Sequence, residues 1–311
     1  MARTAPSKIV AAQPRVRRGY FECRYGQLHV HNAIPPGGGF EEGTSLLCLH
    51  KSPQSGRVFE RFLSLAGRDR SVYAPDTPGY GDSDGPPTRP SIGDYAAALG
   101  DFLDSMRFRQ IDVLGYQTGA LIATELAIAR PTQIRRVVLI SVPIVGDAEK
   151  EAFRRSPWPP AATEDGSHVA AEWQRTRDSL GPAAPADVVA RTFADRLRIG
   201  PAAGTGPAAG TRPATGGVSA GPAYGTAGGG AWAQGGWGVT ATLQYPSRER
   251  LPLITQSTLV LRPRDEFWDA GQRIREVLPK ARCLDLPEQG AGLFDLAPEV
   301  VNEAIKDFIR G

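Results

Sequence analysis

From residue 19 onward, short apolar runs alternate with longer segments in which apolar residues recur every three or four positions. Short continuous runs predict strands that are buried on both faces, and the longer spacing predicts amphipathic helices. The chain opens with a predicted hairpin over 19–34 that turns at Gly26. The strands predicted after it are 45–49, 71–74, 111–115, 134–142, 258–261 and 282–286. Regular alternation of strand and helix predicts an α/β fold, with a mostly parallel central sheet covered by helices on both faces.

The alternation is interrupted once, in the segment that precedes the last two strands. Residues 148–200 are helix-rich and amphipathic, whereas residues 201–238 contain 13 Gly, 10 Ala and 4 Pro. A segment with so few large apolar residues cannot offset its ordering entropy, so we expect a disordered low-complexity insert. The first 18 residues are basic and predict a flexible tail. The structural core is therefore expected from residues 19–147 and 239–311.

Composition narrows the class of protein. The 311 residues are 41% hydrophobic and 22% charged, with a formal net charge of +3. These values are typical of a globular chain and argue against collagen, coiled coils and dedicated nucleic-acid binders. Neither a run long enough to span a membrane nor the apolar core of a signal peptide is apparent, so a cytoplasmic location is expected. The three cysteines and four histidines are scattered along the chain, and we expect no disulfide framework, no metal site and no cofactor.

Three turn motifs follow predicted strands in order. They are His50-Lys51-Ser52-Pro53, the segment DTPGYGDSD over 76–84, and Gly115-Tyr116-Gln117-Thr118-Gly119. Together with the spacer before the last two strands, this order resembles the α/β-hydrolase superfamily over nearly the whole chain from residue 19, the Gly-rich insert excepted. A dinucleotide-binding domain is disfavoured because no GxGxxG motif follows the first strand.

The resemblance implies that residues 148–200 form a helical cap and that the third motif is the nucleophile elbow, G-x-S-x-G. Its central residue occupies a strained turn above the sheet, with small residues two positions to either side. The backbone N–H groups of Thr118 and Ser52 would form the oxyanion hole. Position 117, however, is Gln, and a carboxamide is not a usable nucleophile.

The resemblance also places a histidine after the last strand, where this chain has Ala291, and an acid after the preceding strand, where it has Asp265. The nearest substitutes for the missing base are His50, which is expected to order its own turn, and His168 in the cap. Ser-His-Asp hydrolysis is therefore not expected, although the superfamily's commonest activity is hydrolysis of esters and related bonds.

Several functions stay open on the residues alone. The chain could be an atypical lyase or cyclase, in which Gln117 holds a water or a carbonyl while His50, Lys51 or Asp265 moves protons. It could instead be a non-catalytic small-molecule binder or a regulatory pseudoenzyme, and in either case the expected ligand is a small apolar molecule. A third hypothesis is an interaction protein that works through aromatic residues of its insert: Tyr224, Trp232 and Trp237. The substrate and the oligomeric state are not specified by the sequence.

Overall fold

Eight strands form one central sheet in the computed structural model, which describes residues 14–36, 43–155, 163–198 and 236–310. The strands are β1 (Arg17–Cys23), β2 (Gly26–Ala33), β3 (Gly43–Leu49), β4 (Arg70–Pro75), β5 (Ile111–Tyr116), β6 (Ile134–Ile140), β7 (Ser257–Pro263) and β8 (Arg282–Leu286). Their spatial order is β1-β2-β4-β3-β5-β6-β7-β8. Strands β1, β2 and β4 pair antiparallel, and every pair from β4–β3 to β7–β8 is parallel. The predicted α/β fold with a mostly parallel sheet is confirmed.

Helices cover both faces of this sheet. In chain order they are α1 (Glu60–Ala66), α2 (Ile92–Ser105), α3 (Thr118–Ala129), α4 (Asp147–Arg155), α5 (Ser167–Leu180), α6 (Ala186–Leu197), α7 (Trp237–Gln244), α8 (Ser247–Arg250), α9 (Ile274–Val277), α10 (Leu293–Leu296) and α11 (Pro298–Arg310). Two apolar clusters result, one on each face of the sheet. One contains α2 and α3 and the other contains α1, α10 and α11. Within the described ranges, no helix combines the length and the apolar character needed to cross a bilayer.

Two predicted segment boundaries fall inside regular structure. The basic tail was expected to reach residue 18, but Arg17 and Arg18 already pair with β2. The Gly-rich insert was expected to end at 238, but Trp237 and Gly238 begin α7. Gly238 is buried there, and a methyl group at its Cα would overlap the Ser52 hydroxyl and the Tyr80 hydroxyl. The rest of the insert, up to residue 235, lies outside the described residues.

Candidate functional site

The turn between β5 and α3 lies at the carboxyl end of the sheet and has the geometry of a nucleophile elbow. Gln117 has φ 49° and ψ −111°, a conformation that side-chain-bearing residues rarely adopt. A methyl group at Gly115 would overlap the backbone of Gly119, and one at Gly119 would overlap the carbonyl oxygen of Leu49. The two glycines therefore allow β3, β5 and α3 to approach closely enough to hold Gln117 in this strained turn.

The Gln117 carboxamide reaches directly to two carboxylates. Its Nε2 donates to Asp265 Oδ2 at 3.1 Å and to Glu266 Oε1 at 2.9 Å. Only the NH₂ group of the carboxamide can donate two hydrogen bonds, because the carbonyl oxygen is an acceptor. The two carboxylates therefore determine which end of the Gln117 carboxamide faces them. Gln117 is only 3% exposed. In a hydrolytic triad an imidazole lies between the residue at the elbow and the acid. Here the Gln117 side chain itself reaches Asp265.

Asp265 follows β7, where the acid position was predicted. Its Oδ1 accepts hydrogen bonds from Ser141 Oγ at 2.8 Å and from the Phe267 backbone at 3.0 Å. Burial and the adjacent Glu266 raise the pKa of Asp265, which favours its protonated form. The acid is therefore well oriented, but the group that it orients is an amide and not a base.

Lys51 lies beside Ala291, the position at which the resemblance predicts a histidine. Its Nζ donates to Tyr116 Oη at 3.2 Å and to the Ala291 carbonyl oxygen at 3.4 Å, and Tyr116 Oη donates to the same carbonyl at 2.9 Å. Burial lowers the pKa of Lys51, against the opposing effects of Glu266 and Asp265. Burial opposes ionisation of Glu266, but Lys51, hydrogen bonds from the Glu266 backbone and Gln117, and Arg196 together outweigh it, and the net direction of the Glu266 pKa is downward. Lys51 thus helps to compensate the negative charge of Glu266.

The predicted oxyanion residues, Ser52 and Thr118, do lie together. The Ser52 backbone N–H, however, donates to Thr118 Oγ1 at 3.3 Å. That hydroxyl shares a hydrogen bond of 2.8 Å with Thr242 Oγ1 on α7. Thr242 in turn donates to the Gly238 carbonyl oxygen at 2.8 Å. One of the two expected oxyanion donors is therefore occupied by a side chain of the protein itself.

The two histidines considered as substitute bases have other roles. His50 is buried, its Nε2 accepts a hydrogen bond from the Thr77 backbone at 2.8 Å, and its Nδ1 lies 3.0 Å from the Lys51 carbonyl oxygen. Both contacts are satisfied only by the tautomer protonated at Nδ1, and burial lowers the pKa of His50. His168 lies on α5 of the cap, where its Nδ1 accepts from the Thr163 backbone. Across the described residues, no hydrogen bond joins either histidine to Gln117.

A cavity of about 710 Å³ lies above these groups, between the sheet and the cap helices. Its core-side lining includes Ser52, Asp265, Glu266 and Ala291, and its cap-side lining includes Phe153 and Arg196. Arg196 Nε lies 2.8 Å from Glu172 Oε1, and burial lowers the pKa of Arg196. The volume is within the usual range of small-molecule sites.

The parallel sheet and its elbow turn define an α/β-hydrolase-type protein. The family model described as "alpha/beta hydrolase fold" matches residues 44–235, and the chain belongs to that family. Curated relatives include "Epoxide hydrolase 2" of Siraitia grosvenorii, 31% identical over 104 residues, which are 32% of this chain and 33% of that protein. Another is "Haloalkane dehalogenase" of Mesorhizobium japonicum, 28% identical over 92 residues, 30% of each chain. These matches span about a third of the relatives' length.

Solved structures agree on the fold. A thermophilic esterase from Thermogutta terrifontis has a TM-score of 0.68 at 17% identity and covers 94% of this chain and 98% of its own. The enol-lactonase from Burkholderia xenovorans has a TM-score of 0.66 at 14% identity, over 94% and 100% of the two chains. The predicted superfamily is confirmed, whereas the roles assigned to individual residues stay predictions. The sequence reasoning did not assign roles to Glu266 and Thr242. Glu266 could have been suspected from its place beside Asp265, but nothing in the sequence pattern marks Thr242.

Proposed function

We propose that this protein binds a small, mainly apolar molecule in the cavity above the elbow and does not carry out Ser-His-Asp hydrolysis. The observation that supports this proposal most is the direct contact of Gln117 with Asp265 and Glu266. Hydrolysis by the usual route needs a nucleophile and a base within hydrogen-bonding reach of it. An amide held by two carboxylates supplies neither group.

The substitutions at 117 and 291 support each other sterically. Replacing histidine with Ala291 removes a ring beside the acid, and the longer Gln117 side chain bridges the distance to Asp265. Ala291 is 8% exposed and lines the cavity, so its small side chain leaves space above the elbow. A floor whose Gln117 amide nitrogen is already paired suits reversible binding, because a ligand can cover it without leaving that donor unpaired.

The cavity lining supports the ligand class. Phe153 and Val239 supply apolar surface, while Arg175, Arg196 and Arg264 supply cations. Apolar surface beside guanidinium groups favours a small molecule that has an apolar body and one polar or anionic end.

A thermal-shift screen of small esters, lactones and carboxylic acids, with mass spectrometry of each mixture, tests the proposal. We expect a ligand that raises the melting temperature progressively as its concentration exceeds the dissociation constant and that is recovered unchanged. Ala152→Trp would narrow the cavity and reduce the shift, whereas Val169→Trp, at an exposed apolar position of the cap, would preserve it. Conversion of the ligand by the purified protein, or labelling by a serine-hydrolase probe, would contradict the proposal.

A second candidate is an atypical lyase or cyclase. It is favoured by opposite pKa directions of two groups: burial raises the pKa of Asp265, which lines the cavity, and lowers the pKa of Lys51, which lies behind the lining residue Ala291. Such a pair could exchange a proton with a bound substrate without a covalent intermediate. Product formation by the wild type that is lost in Asp265→Asn but kept in His50→Gln would favour this function over binding alone.

A further inference from the structure

Two histidines that are distant from the elbow contradict the expectation that the histidines are dispersed. His29 and His31 are two residues apart on β2, and a strand directs such residues to the same face. Asp76 follows β4, whose Pro75 is paired with Val30, so its side chain lies opposite His29. One ligand atom from each of the three residues falls within a group no more than 4.8 Å across, and all three residues are buried.

The cluster contains one unsatisfied nitrogen. His29 Nδ1 lies 2.8 Å from Asp76 Oδ2. His31 Nε2 lies 3.8 Å from Asp76 Oδ1, which is too far for a hydrogen bond, and this atom has no hydrogen-bond partner within the described ranges. His31 is 4% exposed, so a polar atom without a partner there carries a desolvation cost. A neutral imidazole carries a lone pair on one of its two ring nitrogens, so the unpaired Nε2 of His31 can act as a ligand.

The third ligand is held in place by the backbone. Asp76 Oδ1 accepts from the Gly56 N–H at 2.7 Å, and Oδ2 accepts from the Asp82 N–H at 2.9 Å. A carboxylate has about four lone-pair sites, so these donors and His29 leave capacity for one further interaction. A methyl group at Gly81 would overlap Asp76 Oδ2, which shows how closely the loop encloses the carboxylate.

We propose that His29, His31 and Asp76 form a binding site for a divalent transition metal ion such as Zn²⁺. Two imidazoles and a carboxylate are a donor set that Zn²⁺ accepts, with water as the fourth ligand. Ligands 2.0–2.1 Å from a tetrahedral ion are separated from each other by roughly 3.3 Å. The 2.8 Å separation involves Asp76 Oδ2 and the 3.8 Å separation involves Oδ1, and the three ligand atoms lie within 4.8 Å of one another. Side-chain rotations that bring both nitrogens to about 3.3 Å from one carboxylate oxygen would complete the geometry. The His29 proton moves from Nδ1 to Nε2 when Nδ1 ligates the ion, so no co-reactant is needed.

This site is independent of the elbow chemistry, and its test is binding of the metal alone. Full-length protein freed of metal by a chelator is titrated with Zn²⁺ by calorimetry and with Co²⁺ by visible absorbance. We expect one ion per chain, a higher melting temperature with Zn²⁺, and a tetrahedral Co²⁺ spectrum. His31→Gln should weaken binding ~10-fold or more, whereas His168→Gln, which changes a cap histidine, should leave it unchanged.

His31→Gln is the decisive variant because it keeps the His29–Asp76 contact and replaces the ring whose Nε2 takes no hydrogen bond. Circular dichroism in chelator checks that the variant is folded. If the variant is unfolded, the Co²⁺ spectrum of the wild type becomes the deciding measurement. A bound ion with two nitrogen ligands and no thiolate absorption then supports the site. Absence of binding to the wild type, an octahedral spectrum, or equal affinity in a folded His31→Gln variant would overturn the proposal and leave the cluster as a structural hydrogen-bond network.

Discussion

The carboxylate of Asp195 joins cap helix α6 to the core, and we expect it to make stability fall as pH rises. Its Oδ1 accepts from Ser55 Oγ at 2.6 Å and its Oδ2 from the Ser55 backbone at 2.9 Å. Asp195 is 6% exposed. Burial raises its pKa from 3.8 to about 6, because the two hydrogen bonds from Ser55 do not offset the cost of desolvating the charge.

The direction of the effect follows from the raised pKa. The folded protein holds the Asp195 proton more tightly than the unfolded chain does, so its stabilising contribution is complete below pH 3.8 and is lost as pH rises through about 6. A shift of about two units corresponds to ~3 kcal/mol of unfolding free energy. Asp195→Asn removes this titration and keeps the shape, since its carbonyl can accept from the Ser55 N–H while its amide donates to the Ser55 hydroxyl.

Urea unfolding between about pH 3 and pH 7, in chelator so that metal binding does not contribute, measures the difference. The free energy of unfolding of the wild type should fall relative to that of Asp195→Asn by ~3 kcal/mol over the full titration. Asp187→Asn is the matched control, because Asp187 lies in the first turn of the same helix and its side chain is 66% exposed. Parallel pH profiles for the wild type and Asp195→Asn would refute the reasoning.

Two further predictions concern the elbow. Gly119→Ala should lower the free energy of unfolding by ~3 kcal/mol, because its methyl group overlaps the Leu49 carbonyl oxygen. Gly290→Ala, whose methyl group would lie 3.8 Å from its nearest neighbour, should change the urea midpoint little, and equal effects of the two would be inconsistent with a tight elbow. Gln117→Ser combined with Ala291→His should hydrolyse a chromogenic ester and react with a serine-hydrolase probe, whereas each single variant should do neither. A folded double variant without activity would mean that the cavity does not position an ester over residue 117.

The sheet could be predicted because parallel strands buried on both faces appear as short, nearly continuous apolar runs. The elbow could be located because Gly115 and Gly119 stand two positions to either side of Gln117, and the fold requires small residues there. The contact of Gln117 with Glu266 could not be predicted, since it joins residues 149 positions apart and depends on side-chain length and direction. Thr242 was missed for a related reason: its hydroxyl reaches Thr118 because of how α7 packs on α3, which no local pattern encodes.

The histidines show that residues scattered along the sequence can still form a cluster in the structure. Their scatter argued against a metal site, yet two of them occupy positions i and i+2 of one strand, and this spacing alone places both on one face. Only the register of β2 with β4 adds Asp76 to them. The HxH pattern within a predicted strand was therefore a usable signal for His29 and His31, while the third member of the cluster required the strand order.

The elbow and the acid loop are best understood as one coupled unit, because neither the change at 117 nor that at 291 is neutral without the other. A serine at 117 opposite Ala291 would be too short to reach Asp265 and Glu266, so the two carboxylates would lose the amide that donates to both. A histidine at 291 would add a ring beside Lys51, whose ammonium group already donates to the carbonyl oxygen of that residue. The present pair keeps the contacts of Gln117 with both acids. For this reason we propose that the elbow and the acid loop form one stable arrangement, whose upper surface is suited to being covered by a ligand.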